Sequence, residues 1–237
     1  MTTTPNNKKD RVHGRVFWIL MFLALLQTLY PISYSPNPIF QMLYNWLYFG
    51  LVFAGLWLTD ERKKRILLWL FGIPILVLGA VFVFYQKTWV YTLAYLAYEG
   101  FFVTVAWVLF EYIFKAKRVT LDVIYAAVTV YVLIGAMFVP LYGIVETLAP
   151  GSFIDNGMKV SGPFPWQNFA YFSYVTLTTL GYGDILPVQM WARALVGVEA
   201  VSGTMYLTII MARLVGLYAA HEEATELGGG ERQDASG

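Results

Sequence analysis

The sequence predicts an all-α membrane protein with six transmembrane helices and one re-entrant segment between the fifth and the sixth. Two observations carry that reading. The 237 residues are 58% hydrophobic and only 13% charged, where a soluble domain carries about a quarter charged residues. Six apolar stretches, at about 16–34, 41–59, 66–86, 89–114, 121–147 and 190–219, also approach or exceed the roughly 20 helical residues needed to cross a 30 Å hydrocarbon core. Short alternating strands, the signature of a membrane barrel, are absent. Helices are then the way to satisfy the backbone in lipid.

Each stretch is justified by its borders. Lys8, Lys9, Arg11 and Arg15 precede the first helix, and Arg62, Lys63, Lys64 and Arg65 separate the second from the third. Lys115, Lys117 and Arg118 separate the fourth from the fifth, while the opposite side holds Lys87, Lys159 and Arg193. Eleven positive residues against three predict cytoplasmic termini. Residues 17–30 form an apolar run behind a basic head, yet no small-x-small cleavage site precedes Pro31, so the run reads as a retained helix. The linker 115–120, "KAKRVT", is basic. The stretch 148–165, "LAPGSFIDNGMKVSGPFP", reads as a polar turret-like loop on the outer side. The tail 221–237 reads as short, polar and disordered. With no cysteine in the chain, disulfides and thiolate chemistry are excluded.

The re-entrant piece is Trp166 to Thr178, "WQNFAYFSYVTLT", too short to span a bilayer. Pro165 suits a first helical turn, and Gly181 ends the helical pattern. Non-helical backbone at membrane depth must line water or be buried in protein. Gly181 and Gly183 accept positive φ, so a strand alternating them with other residues can point successive carbonyls the same way. Thr179 adds a hydroxyl. Four such strands about an axis make rings of oxygens able to replace an ion's hydration shell, and the half-helix aims its negative end at the membrane centre, favouring a cation.

The string "TTLGYGD" resembles the potassium-channel filter T-x-G-Y-G-D. The resemblance extends over about residues 121–220 to the bacterial two-helix potassium pore, including "VETLAPG" at 145–151 and "LPVQMWARALVGVEAVSG" after the filter. It implies potassium ligation by the backbone carbonyls of Thr179, Leu180, Gly181 and Tyr182, with the Thr179 hydroxyl, in a filter Thr179–Gly183. Asp184 would brace the outer mouth. Tyr171 and Phe172 stand where the family often has two tryptophans that grip the filter tyrosine, and Val175 stands where some bacterial members have a glutamate. The inner helix has Gly203 twelve residues after Trp191, the family's hinge position, and is expected to bend there, with close helix packing as the rival. Leu207, Met211 and Val215 share one face, as a hydrophobic gate or as ordinary packing.

Domain boundaries follow: a basic cytoplasmic N-terminus (1–15), a four-helix bundle (16–114), the linker (115–120), a pore domain (121–220) and the tail. The bundle has no lysine or arginine inside its helices, so steep arginine-driven voltage gating is not expected. Glu99 and Glu199 lie within spans, and a charge at such depth is costly unless paired, neutralised or wetted. Glu199 is either a pH-sensing group near the cavity or a neutral, hydrogen-bonded one at a helix interface. Glu111 and Arg213 sit at similar depth and are expected to pair, with snorkelling of Arg213 as the rival. His221, Glu222 and Glu223 lack the spacing of a metal motif.

The expected function is passive potassium conduction by a homotetramer, or a heterotetramer with a related subunit, in a lipid bilayer. A prokaryotic plasma membrane fits the short loops and the pore. No enzyme activity, cofactor, nucleic acid or small-molecule substrate is indicated; potassium is the permeant ion. A potassium transporter subunit and a non-conducting regulatory membrane protein with a retained pore are the other readings.

Overall fold

The computed structural model describes residues 15–35, 37–84, 87–159 and 165–234. The N-terminal lysines and arginine before Arg15, loop residues 160–164 and the side chains of His221, Glu222 and Glu223 lie outside the described residues. The helices are α1 (Arg15–Leu29), α2 (Pro38–Leu58), α3 (Arg62–Phe84), α4 (Thr88–Lys115), α5 (Leu121–Leu148), α6 (Trp166–Leu177) and α7 (Met190–Asp234). Among the described residues, five segments are long and apolar enough to cross a membrane: 15–34, 39–58, 88–115, 121–148 and 190–220. The stretch expected as the third span lies in α3, 23 residues long with Pro74 inside it, which is not among those five.

Local chemistry explains the borders. The Asn37 side chain accepts the Ile39 amide at 3.0 Å ahead of α2. Thr120, the last residue of the basic linker, accepts the Val123 amide at 3.4 Å and so caps α5, where a hydroxyl satisfies one of the orphan amides of a first turn. A 3₁₀ turn, Tyr30–Tyr34, links α1 to α2. At the C-terminus α7 runs on to Asp234, where a disordered tail was expected after residue 220. The polarity of the tail "HEEATELGGGERQDASG" predicts disorder, but the alanine, glutamates and leucine at its start are strong helix formers.

A large core joins α1–α4 to α5, with Phe101, Leu109, Ile113, Val130 and Leu133 fully buried within it. A second cluster lies between α5, α6 and the start of α7, built on Phe138, Tyr142, Phe153, Phe169, Phe172, Ile185 and Ala192. Phe153 comes from a small antiparallel sheet that the loop reading missed. Strands β1 (Phe153–Asp155), β2 (Met158–Lys159) and β3 (Ile185–Pro187) run in the order β2-β1-β3. Ile154 stands opposite both Lys159 and Leu186. The turn is Asn156-Gly157, with φ of 48° and 78°, the paired left-handed conformation of a two-residue hairpin.

Candidate functional site: the loop after the short helix

At 12 residues, α6 is about 18 Å long, little more than half the hydrocarbon thickness. After Leu177 the chain leaves the helix. The Thr179 amide donates to the Thr176 carbonyl at 2.9 Å, and the Leu180 and Gly181 amides both donate to the Val175 carbonyl, at 2.9 and 3.3 Å. Positive φ then recurs at every second residue: Thr179 (58°), Gly181 (58°) and Gly183 (79°). Alternating left-handed residues turn each intervening peptide, so the carbonyls need not alternate sides as they do in a strand.

Two of these angles follow from glycine. Thr179 is the one sequence reasoning missed. A β-branched residue at positive φ is a genuine outlier, with a cost of order 1–3 kcal/mol that the surroundings must hold in place. The signal was the alternation itself: if Gly181 and Gly183 are left-handed, continuing the period places Thr179 there too.

The expected supports divide. The Tyr171 hydroxyl donates to Asp184 Oδ2 at 2.7 Å, and its ring lies parallel to Tyr182, 6.5 Å away with 6° between the planes. Asp184 Oδ1 accepts the Ile185 amide at 3.0 Å. The Tyr171 hydroxyl chiefly, then the Ile185 amide, holds the Asp184 carboxyl below the usual carboxylate range. The Asp184 carbonyl accepts the Asn156 amide at 2.7 Å, which ties the loop to the hairpin turn. Phe172 faces the other way: it is buried against Tyr142 (5.3 Å) and Phe153 (5.7 Å). Val175 acts through its carbonyl.

The framework beside the loop rests on Glu146 at the end of α5. Its carboxylate accepts the Gly151 amide at 2.7 Å and the Phe153 amide at 3.2 Å. Leu180 and Tyr182 are 54% and 66% exposed, so one face of the loop is left uncovered by the chain itself.

On α7 the helix continues through Gly203. A Cβ there would lie 2.8 Å from the Leu177 carbonyl oxygen and 2.7 Å from Leu177 Cδ1. Close approach of α6 therefore accounts for this glycine in the observed state. Leu207, Met211 and Val215 are all exposed along one face. Glu199 is fully buried, with the Tyr142 and Ser173 hydroxyls against its two oxygens. That is the interface placement, behind α6.

The expected Glu111–Arg213 pair does not form. Glu111 pairs with Lys64 and Lys115. Arg213 donates to the carbonyls of Ile113 (3.0 Å), Phe114 (2.7 Å) and Ala116 (3.4 Å) and lies over the Phe114 ring at 4.8 Å. The last carbonyls of a helix lack intrahelical donors and carry its negative dipole end, so the guanidinium caps α4. Depth in the sequence brought the two residues to one level without revealing that the end of α4 competes for the guanidinium. The link between the bundle and α7 is present, made with backbone. Among the described residues, Glu99 Oε2 is buried with no hydrogen-bond partner.

The bundle also grips the start of α6. Tyr34 hydrogen-bonds Asn168, Gln167 donates to the Ser33 hydroxyl at 2.9 Å, and Tyr44 stacks on Trp166 at 5.7 Å.

Comparison with known proteins agrees with this geometry. Residues 119–219 match a family model described as an ion channel. The match covers α5, the sheet, α6, the loop and α7 up to residue 219, so this stretch is similar to an ion-channel domain, while α1–α4 lie outside it. No curated protein matches the chain.

Proposed function

We propose that this chain is the subunit of a potassium-selective channel that conducts passively through a filter at Thr179–Gly183. The observation that carries the proposal is the alternation of left-handed residues at 179, 181 and 183, at the end of a half-length helix and within the stretch similar to ion channels. Alternating conformations let the carbonyls of Thr179, Leu180, Gly181 and Tyr182 face one axis, together with the Thr179 hydroxyl, and replace the hydration shell of a potassium ion. In this reading α6 is the pore helix, its negative end favouring the cation. Asp184 and Tyr171 brace the outer mouth, and the face bearing Leu207, Met211 and Val215 borders the inner pathway.

One loop is a quarter of a ring. The uncovered sides of Leu180 and Tyr182 fit neighbours in a fourfold assembly, a homotetramer in the simplest case. Six spans, with α3 as the third and both termini cytoplasmic, complete the membrane topology; a prokaryotic plasma membrane suits it. The arginines of the bundle spans, Arg15, Arg62 and Arg65, stand at the span ends and none lies in a span interior, so voltage does not drive opening through a charged sensor helix.

Ion flux into liposomes carrying the purified chain tests this. Potassium uptake exceeding sodium uptake, blocked by barium and lost in Gly181→Ala, is the expected result. No flux from a verified tetramer would point to the non-conducting regulatory protein, and absence of a tetramer would remove the ring on which the mechanism depends.

A further inference from the structure

Glu199 of α7 is wholly enclosed between α5 and α6. One carboxyl oxygen meets the Tyr142 hydroxyl of α5, and the other meets the Ser173 hydroxyl of α6. Ser173 Oγ also lies 2.7 Å from the Gly135 carbonyl oxygen of α5. Three oxygen–oxygen contacts at hydrogen-bond distance need three hydrogens. Tyrosine and serine supply one each, and a carbonyl supplies none. With an ionised carboxylate, one contact would press two lone pairs together inside a buried, apolar interface.

The count closes if Glu199 keeps its proton. Tyr142 then donates to Glu199 Oε2, Glu199 Oε1–H donates to Ser173 Oγ, and Ser173 donates to Gly135. We propose that Glu199 is a positioning residue held as the neutral acid, whose proton completes a string fastening α6 to α5 and α7, and that its loss in alkali loosens α6 and ends conduction. The titratable groups facing the carboxyl are the phenols of Tyr142 from α5 and Tyr174 from α6. No cation pairs with it among the described residues. The route to the ion path is short: Ser173 lies half a turn before Val175, whose carbonyl holds the Leu180 and Gly181 amides.

The conduction half of this inference rests on the channel reading; the protonation half does not. Infrared spectra of the full chain in liposomes, with Glu199→Gln as the reference, report the protonated carboxyl directly. The expected result is a carboxylic-acid carbonyl band at neutral pH that is absent from Glu199→Gln, disappears as pH is raised, and shifts in Tyr142→Phe, which loses a donor to it. The amide of Glu199→Gln donates to Ser173 and accepts from Tyr142, so that variant keeps its flux and loses the alkaline decline of the wild type. No acid band at neutral pH, a band unmoved by Tyr142→Phe, or the same alkaline decline in Glu199→Gln would each overturn the proposal. If the protein carries no flux at all, the infrared band still decides the state of Glu199.

Discussion

Gly203→Ala separates two accounts of the inner helix. A methyl at Gly203 would sit 2.8 Å from the Leu177 carbonyl oxygen, against about 3.4 Å for ordinary contact. The two must separate by 3.4 − 2.8, about 0.6 Å. Leu177 Cδ1, at 2.7 Å, can rotate away; the carbonyl cannot, because it ends α6 two residues before Thr179. Overpacking of this kind costs ~1–3 kcal/mol, offset by the ~1 kcal/mol that alanine gains over glycine within a helix. The net is a loss of about 0–2 kcal/mol, delivered where the proposed filter begins. The expected outcome is a lowered thermal midpoint and a reduced potassium-to-sodium permeability ratio measured from bi-ionic reversal potentials. Gly216→Ala is the control, since nothing among the described residues lies within 4 Å of its added methyl. A Gly203→Ala protein with unchanged stability and selectivity but altered open probability would refute close approach and favour the hinge.

Tyr171→Phe removes the 2.7 Å hydrogen bond to Asp184, worth about 1 kcal/mol at this partly solvated site; the expected result is a filter that collapses sooner in low potassium, read as faster loss of current. The Asp184 carboxyl pKa is lowered in the fold, so its stabilising effect is present above the unfolded value of about 3.9 and fades as pH falls through the folded one. Wild type should therefore lose stability below about pH 4, more than Tyr171→Phe does. Arg213→Met strips donors from the end of α4 and should lower the thermal midpoint by an amount equivalent to about 1–2 kcal/mol. Combining Arg213→Glu with Glu111→Arg should not restore it, whereas exchanging the charges of Lys64 and Glu111 should be tolerated better than either single reversal.

The elements that hydrophobicity dictates were legible in advance. Five apolar stretches coincide with candidate spans to within a few residues, because burial in lipid needs length and little else. The loop after α6 was legible through its glycines, which state their own backbone requirement. What escaped depends on partners distant in sequence. Asn156-Gly157 announces a hairpin, yet the pairing of β1 with β3 joins strands of three whose partners, from Asp155–Ile185 to Phe153–Pro187, lie at least 30 residues apart. Arg213 could be placed by depth, but the carbonyls it caps carry no side-chain signal. Glu199 was readable as a costly charge; its enclosure by Tyr142 and Ser173 exists once three helices meet.

Selection of potassium by the backbone of residues 179–183, as proposed, is tested most directly by the reversal potential of the reconstituted protein in a planar bilayer with potassium on one side and sodium on the other. The expected potential is close to potassium's equilibrium value and moves toward zero in Gly181→Ala. A wild-type potential near zero, with current carried equally by both ions, would contradict it.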